Sequence, residues 1–275
     1  MKFQKSHLEV SNTKIFIRST APEKVKGVVV LVHGMGEHSG RYVDSVVPTL
    51  VDGSLAVVLY DQVGHGKSSG KRGHCSGYTL LMEILDTIVS RARTLYPQVP
   101  FFLYGHSMGG NLVLNYALRN KAGITGVIAT SPFLRLAFKP PKWKLVLGKL
   151  MMRIAPSITL SSGLDPNAIS RIQDEVEAYR RDPLVHDLVS PMFSFPVIEA
   201  GEWAITHAQQ LRIDTLLCHG SGDMIIDQEG TKAFHEHSNS TDLRLFEGAY
   251  HELHHDSCRE ELLVCISGWL KERIV

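Results

Sequence analysis

Phe101-Phe102-Leu103-Tyr104-Gly105-His106-Ser107-Met108-Gly109-Gly110 is the stretch on which the fold turns. Its first four residues are apolar and aromatic, as in a short strand buried on both faces of a sheet. Residues 109–119 continue as a helix. Between strand and helix lies the pattern G-x-S-x-G. A serine held on so sharp a turn projects its hydroxyl clear of the backbone, and its neighbours must be small for strand and helix to close up. The helix also points its N-terminal amides at the serine, where they favour developing negative charge. Five residues alone match by chance, since glycine and serine are common in turns. The strand–turn–helix setting gives the match its weight.

Working outward, the buried-strand signature recurs in Val28-Val29-Val30-Leu31-Val32 and again over 55–60, 126–130 and 215–218. Helix-length segments separate these runs over 43–51, 79–96 and 230–237, and a last helix is expected over 260–272. Strand alternating with helix predicts an α/β chain with a mostly parallel central sheet flanked by helices. The weak alternation of the first twenty residues reads as two short strands turning at Ser11-Asn12. From 132 to 207 the rhythm breaks: eight of the twelve prolines fall there and no buried strand is evident. This predicts a helical lid (cap) inserted over 133–207 into a core formed by 1–132 and 208–275. Such sheets bind ligands at the carboxyl ends of their strands, where the lid would shape a pocket.

A nucleophilic serine needs a base and a carboxylate to orient that base, in the chain order Ser, Asp or Glu, His. After the strand at 215–218 comes His219-Gly220-Ser221-Gly222-Asp223, which puts Asp223 at the carboxyl edge of the sheet. Asp227 competes with it but is better placed to cap the next helix. The strand over 243–246 leads into Glu247-Gly248-Ala249-Tyr250-His251, which makes His251 the base, with His254 and His255 as rivals. The catalytic set expected is Ser107, Asp223 and His251. The oxyanion hole is expected from the backbone amides of Met108 and of Met35, in the loop His33-Gly34-Met35-Gly36.

Bulk properties narrow the class. Twenty-nine basic and 28 acidic residues offer no field to attract nucleic acid. Cys75, Cys218, Cys258 and Cys265 lie far apart, none in a C-x-x-C pair, which fits a reduced compartment. No secretory leader and no membrane-length apolar run is evident. A cytoplasmic protein is expected, at most peripheral on membranes, with no obligate protein partner and no nucleic acid.

The strings His33-Gly34-Met35-Gly36-Glu37-His38-Ser39-Gly40-Arg41-Tyr42, Asp61-Gln62-Val63-Gly64-His65-Gly66-Lys67-Ser68, Gly105-His106-Ser107-Met108-Gly109-Gly110 and Glu247-Gly248-Ala249-Tyr250-His251-Glu252-Leu253-His254 resemble the monoglyceride lipases of the α/β-hydrolase superfamily. The resemblance runs from Gly27 onward and touches the lid at Ser170-Arg171 and Asp182-Pro183-Leu184. The elbow is common to the superfamily; the string H-G-x-G-E-H-x-x-R-Y is more specific. The resemblance implies hydrolysis of monoacylglycerols to fatty acid and glycerol, with no cofactor and no metal. It also implies that Glu37, Arg41 and His254 hold the glycerol side of the substrate. Glu37 and Arg41 have a structural reading too, as a pair bracing the oxyanion loop. The first half of the lid departs most from the family.

Three patterns compete. His251-Glu252-Leu253-His254-His255 fits H-E-x-x-H, but that zinc motif requires a helix, and here a strand and Gly248 precede it. Gly66-Lys67-Ser68 lacks the earlier glycine of a phosphate loop, which leaves 61–68 as a turn supporting the rim of the site. Trp143, Val146, Leu147, Leu150, Met151 and Ile154 form a helical stripe flanked by Lys144, Lys149 and Arg153, with Leu145 and Met152 adding apolar area. It reads either as a lid helix packed on the pocket or as a surface dipping into a membrane interface, with the second favoured. Lysophospholipase, carboxylesterase and thioesterase are alternatives using the same triad; a binding protein that kept the fold would be expected to have lost it.

Overall fold

Along Gly27–Val32, alternate residues serve different cores: Val28, Val30 and Val32 pack on one face of the sheet, Val29 and Leu31 on the other. Both faces are buried because helices cover both, which is why the run reads as continuously apolar rather than alternating. The computed structural model describes residues 1–119, 123–138 and 141–274, without the side chains of Lys142, Lys144 and Leu145.

In chain order the elements are β1 (Gln4–Val10), β2 (Thr13–Thr20), β3 (Gly27–Val32), α1 (Val47–Asp52), β4 (Leu55–Tyr60), α2 (Tyr78–Leu95), β5 (Phe101–His106), α3 (Met108–Arg119) and β6 (Gly126–Thr130). There follow α4 (Lys142–Ile154), β7 (Leu160–Ser161), α5 (Gln173–Arg181), β8 (Leu188–Val189) and α6 (Pro191–His207). The chain finishes with β9 (Thr215–Gly220), α7 (Gln228–Glu236), β10 (Thr241–Phe246) and α8 (Arg259–Lys271). Eight strands form one sheet in the order β1-β2-β4-β3-β5-β6-β9-β10. Within this sheet, among the described residues, only the β1–β2 and β2–β4 pairings are antiparallel; β7 and β8 form a separate antiparallel pair. Ser11 and Asn12 both take positive φ, 45° and 61°, in the two-residue turn expected between the first strands.

The helix expected over 43–51 starts later, at Val47, with Pro48 in its first turn, where a missing N–H costs nothing. A single 3-10 turn, Ser39–Tyr42, precedes it.

The segment 133–207 is not uniform. Leu134 and, from α6, Phe193, Val197, Ala204 and Ile205 are buried in the main core with α2 and α3. Two buried asparagines of α3 fasten α6: Asn111 Nδ2 donates to the Val197 carbonyl at 3.0 Å and Asn115 Nδ2 to Ala200 at 3.1 Å. The last quarter of the expected lid therefore belongs to the core. Farther out, Ile169, Val176 and Tyr179 form a small cluster of their own. Among the described residues, no helix is long and apolar enough to cross a membrane.

Candidate active site

Strand β5 delivers Ser107 into a turn of φ 53°, and α3 begins at Met108. A Cβ at position 105 would lie 2.2 Å from the Gly109 carbonyl oxygen, and one at 109 would lie 2.0 Å from that of Val32. Both glycines of the elbow are therefore steric requirements. The Ser107 amide donates to the Thr130 carbonyl and its own carbonyl accepts from Phe133, which fixes the turn on both sides.

Ser107 Oγ lies 2.9 Å from His251 Nε2, and His251 Nδ1 lies 2.7 Å from Asp223 Oδ2. The carboxylate can only accept, so Nδ1 carries a proton and Nε2 of the neutral ring accepts from the serine hydroxyl. The other Asp223 oxygen accepts from the amides of Ile225 (2.8 Å) and Ile226 (3.0 Å). Burial would raise the Asp223 pKa, but the His251 and His219 rings beside it hold it far below the usual carboxylate range. Burial would likewise lower that of His251, yet the Asp223 carboxylate carries it above the ordinary imidazole value. Asp227 caps α7, accepting from the Glu229 amide at 3.0 Å.

His219 was quoted above without a role. Its Nε2 lies 3.2 Å from Asp223 Oδ2, and Thr231 Oγ1 holds its Nδ1 at 2.8 Å. The sequence signal was a histidine directly after a buried strand run; in the structure β9 extends through it, and its buried ring demands a partner.

The loop after β3 passes directly over the serine. A Cβ on Gly34 would come within 3.2 Å of Ser107 Cβ, and Met35 follows immediately. Gly34 donates its amide to Glu37 Oε1 at 2.6 Å, and the Tyr42 hydroxyl donates to the same oxygen at 2.6 Å. Glu37 Oε2 faces Arg41 Nη1 at 3.4 Å. The Arg41 fork is engaged chiefly by Glu252, with both guanidinium nitrogens donating to its two oxygens. Burial opposes the charge on Arg41, but Glu252 keeps the guanidinium firmly protonated. Tyr179, from α5, lies under Arg41 with its ring centre 4.7 Å away. Glu252 stood in the quoted string but not among the expected site residues; the need of a buried arginine for a second carboxylate was the signal that could have found it.

His254 is fully buried and stacked on Tyr42 at 4.6 Å. Neither of its ring nitrogens has a protein partner. His106 stands between, 4.9 Å from both His251 and His254. His255 hydrogen-bonds the Arg41 carbonyl oxygen at 3.1 Å and approaches Glu175 at 2.9 Å.

Residues 253–255 make one 3-10 turn, so H-E-x-x-H does not take the helical form in which its two histidines would share a face. Glu252, His254 and His255 converge, but the carboxylate already embraces a guanidinium. At the rim, Asp61 accepts from Ser39 and from the Lys67 amide, which makes 61–68 a brace rather than a phosphate cradle.

On α4 the stripe faces outward. Trp143, Val146, Leu147, Leu150 and Ile154 are all about half exposed or more, with Val146 reaching 69 %. Lys144 and Leu145, expected beside it, lie outside the described side chains.

Residues 23–258 match a family model described as Serine aminopeptidase, S33. The chain is 33 % identical over 255 residues to the monoglyceride lipase of Rattus norvegicus, covering 90 % of this chain and 84 % of that one. An abhydrolase domain-containing protein of Dictyostelium discoideum is 37 % identical over 275 residues; the match takes in 98 % of this chain but only 29 % of that longer one. Among solved structures, the monoacylglycerol lipase of Paleococcus ferrophilus superposes with a TM-score of 0.86 at 36 % identity, covering 99 % of this chain and all of that one.

Proposed function

The chain belongs to the α/β-hydrolase family of serine aminopeptidase S33 type that includes the monoglyceride lipases, and from that premise we propose that it cleaves monoacylglycerols to fatty acid and glycerol by two-step acyl transfer. The observation that carries the reading is the unbroken line of hydrogen bonds from Ser107 through His251 to Asp223, beneath the Gly34–Met35 loop. Ser107 is the nucleophile. His251, oriented by Asp223, takes its proton as Oγ attacks the ester carbonyl carbon. The amides of Met108, first in α3, and Met35 receive the oxyanion. His251 then returns the proton to the departing alcohol, and water repeats the cycle on the acyl-enzyme.

Glu37, Arg41 and His254 make the polar end of the pocket. Glu37 and Arg41 act by holding the oxyanion loop, since their charged atoms are largely engaged with Gly34, Tyr42 and Glu252. His254 offers two unpartnered ring nitrogens to water and the glycerol hydroxyls. A leaving alcohol buried without such partners would lose free energy for each unpaired group. The part of the insertion outside the main core, from α4 to β8, serves as the lid, and the exposed stripe of α4 meets a membrane surface from which lipid is drawn.

The test compares turnover of monoacylglycerols, lysophospholipids, short-chain esters and aminoacyl anilides by the wild-type chain and Ser107→Ala. Preferential monoacylglycerol turnover, lost in Ser107→Ala, is expected. Serine-dependent cleavage of short esters alone would keep the triad and reduce the lipase to an esterase. Cleavage of the anilides alone would replace the ester reading with a peptidase.

A further inference from the structure

Cys218 and Cys265 are distant in sequence but adjacent in the fold. Cys218 is fully buried on β9, and Cys265 is partly exposed on α8, which packs across that face of the sheet. Each thiol bears directly on the other's ionisation. In the parallel pairing of β9 with β10, Cys218 stands opposite Arg244, which brings a guanidinium to the same spot. Arg244 and Cys265 line the same groove, and the guanidinium charge bears on the Cys265 sulfur. A surface groove of about 520 Å³, bordered by Leu216, Asp242, Arg244, Val264, Cys265 and Trp269, opens directly onto Cys265.

The thiols are unlike. The neighbouring Cys218 thiol and the Arg244 charge draw Cys265 below the ordinary thiol range, whereas the neighbouring Cys265 thiol and burial push Cys218 well above it. Cys258 is a natural contrast in the same chain. It is also partly exposed, but burial and the charge of Asp256 push it up to about 11.

We propose that Cys265 and Cys218 form an oxidisable thiol pair, remote from the Ser107 site, that reacts with hydroperoxides entering the groove. The Cys265 thiolate attacks one peroxide oxygen; the O–O bond breaks and the released alkoxide or hydroxide takes a proton from water. The sulfur, oxidised by two electrons, is then a sulfenic acid. The Cys218 sulfur gives up its proton and attacks the Cys265 sulfur. The S–O bond breaks, hydroxide leaves as water with that proton, and a disulfide joins β9 to α8. One hydroperoxide is thereby reduced to an alcohol or water, and two thiols lose one hydrogen each.

The test exposes the intact chain to hydrogen peroxide at neutral pH and maps its peptides by mass spectrometry without reduction. A Cys218–Cys265 peptide pair two hydrogens lighter than its thiol form is expected, with Cys258 still reduced. Cys218→Ser should leave Cys265 as a sulfenic acid trapped by dimedone, and Cys265→Ser should leave Cys218 unoxidised. Arg244→Gln should slow oxidation several-fold at neutral pH and not at alkaline pH, where any thiol is ionised. Oxidation of Cys258 as fast as Cys265 overturns the proposal. So does a wild-type protein whose Cys265 takes up dimedone while Cys218 stays a thiol.

Discussion

His251 is under two opposed pressures, burial that disfavours its charge and a carboxylate that favours it, and the carboxylate prevails. A base must be neutral to accept a proton. Hence kcat/KM is expected to rise with pH through a midpoint above the unperturbed imidazole value of about 6.5. Asp223→Asn removes the charge that raises this pKa, so the midpoint moves to lower pH, and the rate falls by roughly 10⁴ as the tautomer is lost. A pH–rate profile of both proteins checks this; an unmoved acid limb in Asp223→Asn would contradict the assignment. Glu252→Gln leaves the buried Arg41 without its main carboxylate and is expected to destabilise the fold by about 3–5 kcal/mol, read from urea midpoints. At this scale Ser107, Asp223 and His251 were legible because each follows a strand whose composition announces it. His219 and Glu252 were not, because their roles arise from partners distant or unremarkable in the sequence. Glu37 and Arg41 are expected on the glycerol side or as a brace of the oxyanion loop, and only the folded chain brings Glu252 across 211 residues to meet Arg41.

Among the elements, the parallel strands were readable because burial on both faces leaves no polar alternation to confuse them. Their ends were less so: β5 runs on to His106 and β9 to Gly220, past the apolar signal, because backbone pairing continues where the side chains turn polar. Helix α6, expected as part of a helical lid, packs into the main core instead of standing apart from it. Pro191 sits in the helix's first turn, and Pro196 lies within a helix that α3 clasps through its asparagines. Helix α4 supports a prediction of its own. Trp143→Glu with Leu147→Glu places two charges on the outward stripe and should weaken co-sedimentation with phospholipid vesicles at least several-fold. Turnover of a water-soluble short ester should be unchanged, and equal vesicle binding would remove the membrane role of this face.

For the molecule as a whole, acid is the expected weakness. Burial lowers the pKa of His33, His65 and His254, and that of His106 to about 4. Unfolded, each would titrate near 6.5. Their contribution is therefore complete above about pH 6.5 and is lost as pH falls, because the unfolded chain then takes up protons the folded one refuses. His251 acts in the other direction, adding stability below pH 6.5 that disappears as pH rises through its elevated value. His74 and His186 are lowered too, so six histidines against one predict urea midpoints that decline steadily on acidification from about pH 6.5 towards 4. Stability that stayed level or rose through that window would refute the prediction. The mostly parallel α/β plan was visible in the strand rhythm. The sharing of one chain segment between core and insertion was not, since it depends on which helices meet.

Asn111, one turn into α3 from the nucleophile, has a second bond: its Nδ2 donates to the Phe133 carbonyl at 2.7 Å as well as to Val197. One amide thus joins the chain just after β6 to the middle of α6. Everything between those two carbonyls hangs from a closed knot, and closing a longer loop costs only slowly more entropy as residues are added. That segment is tied down again where Asp182 meets His38 and Arg171 meets Asp256, so added residues cost least in its exposed loops. Residues added there leave Ser107, His251 and Asp223 where they stand.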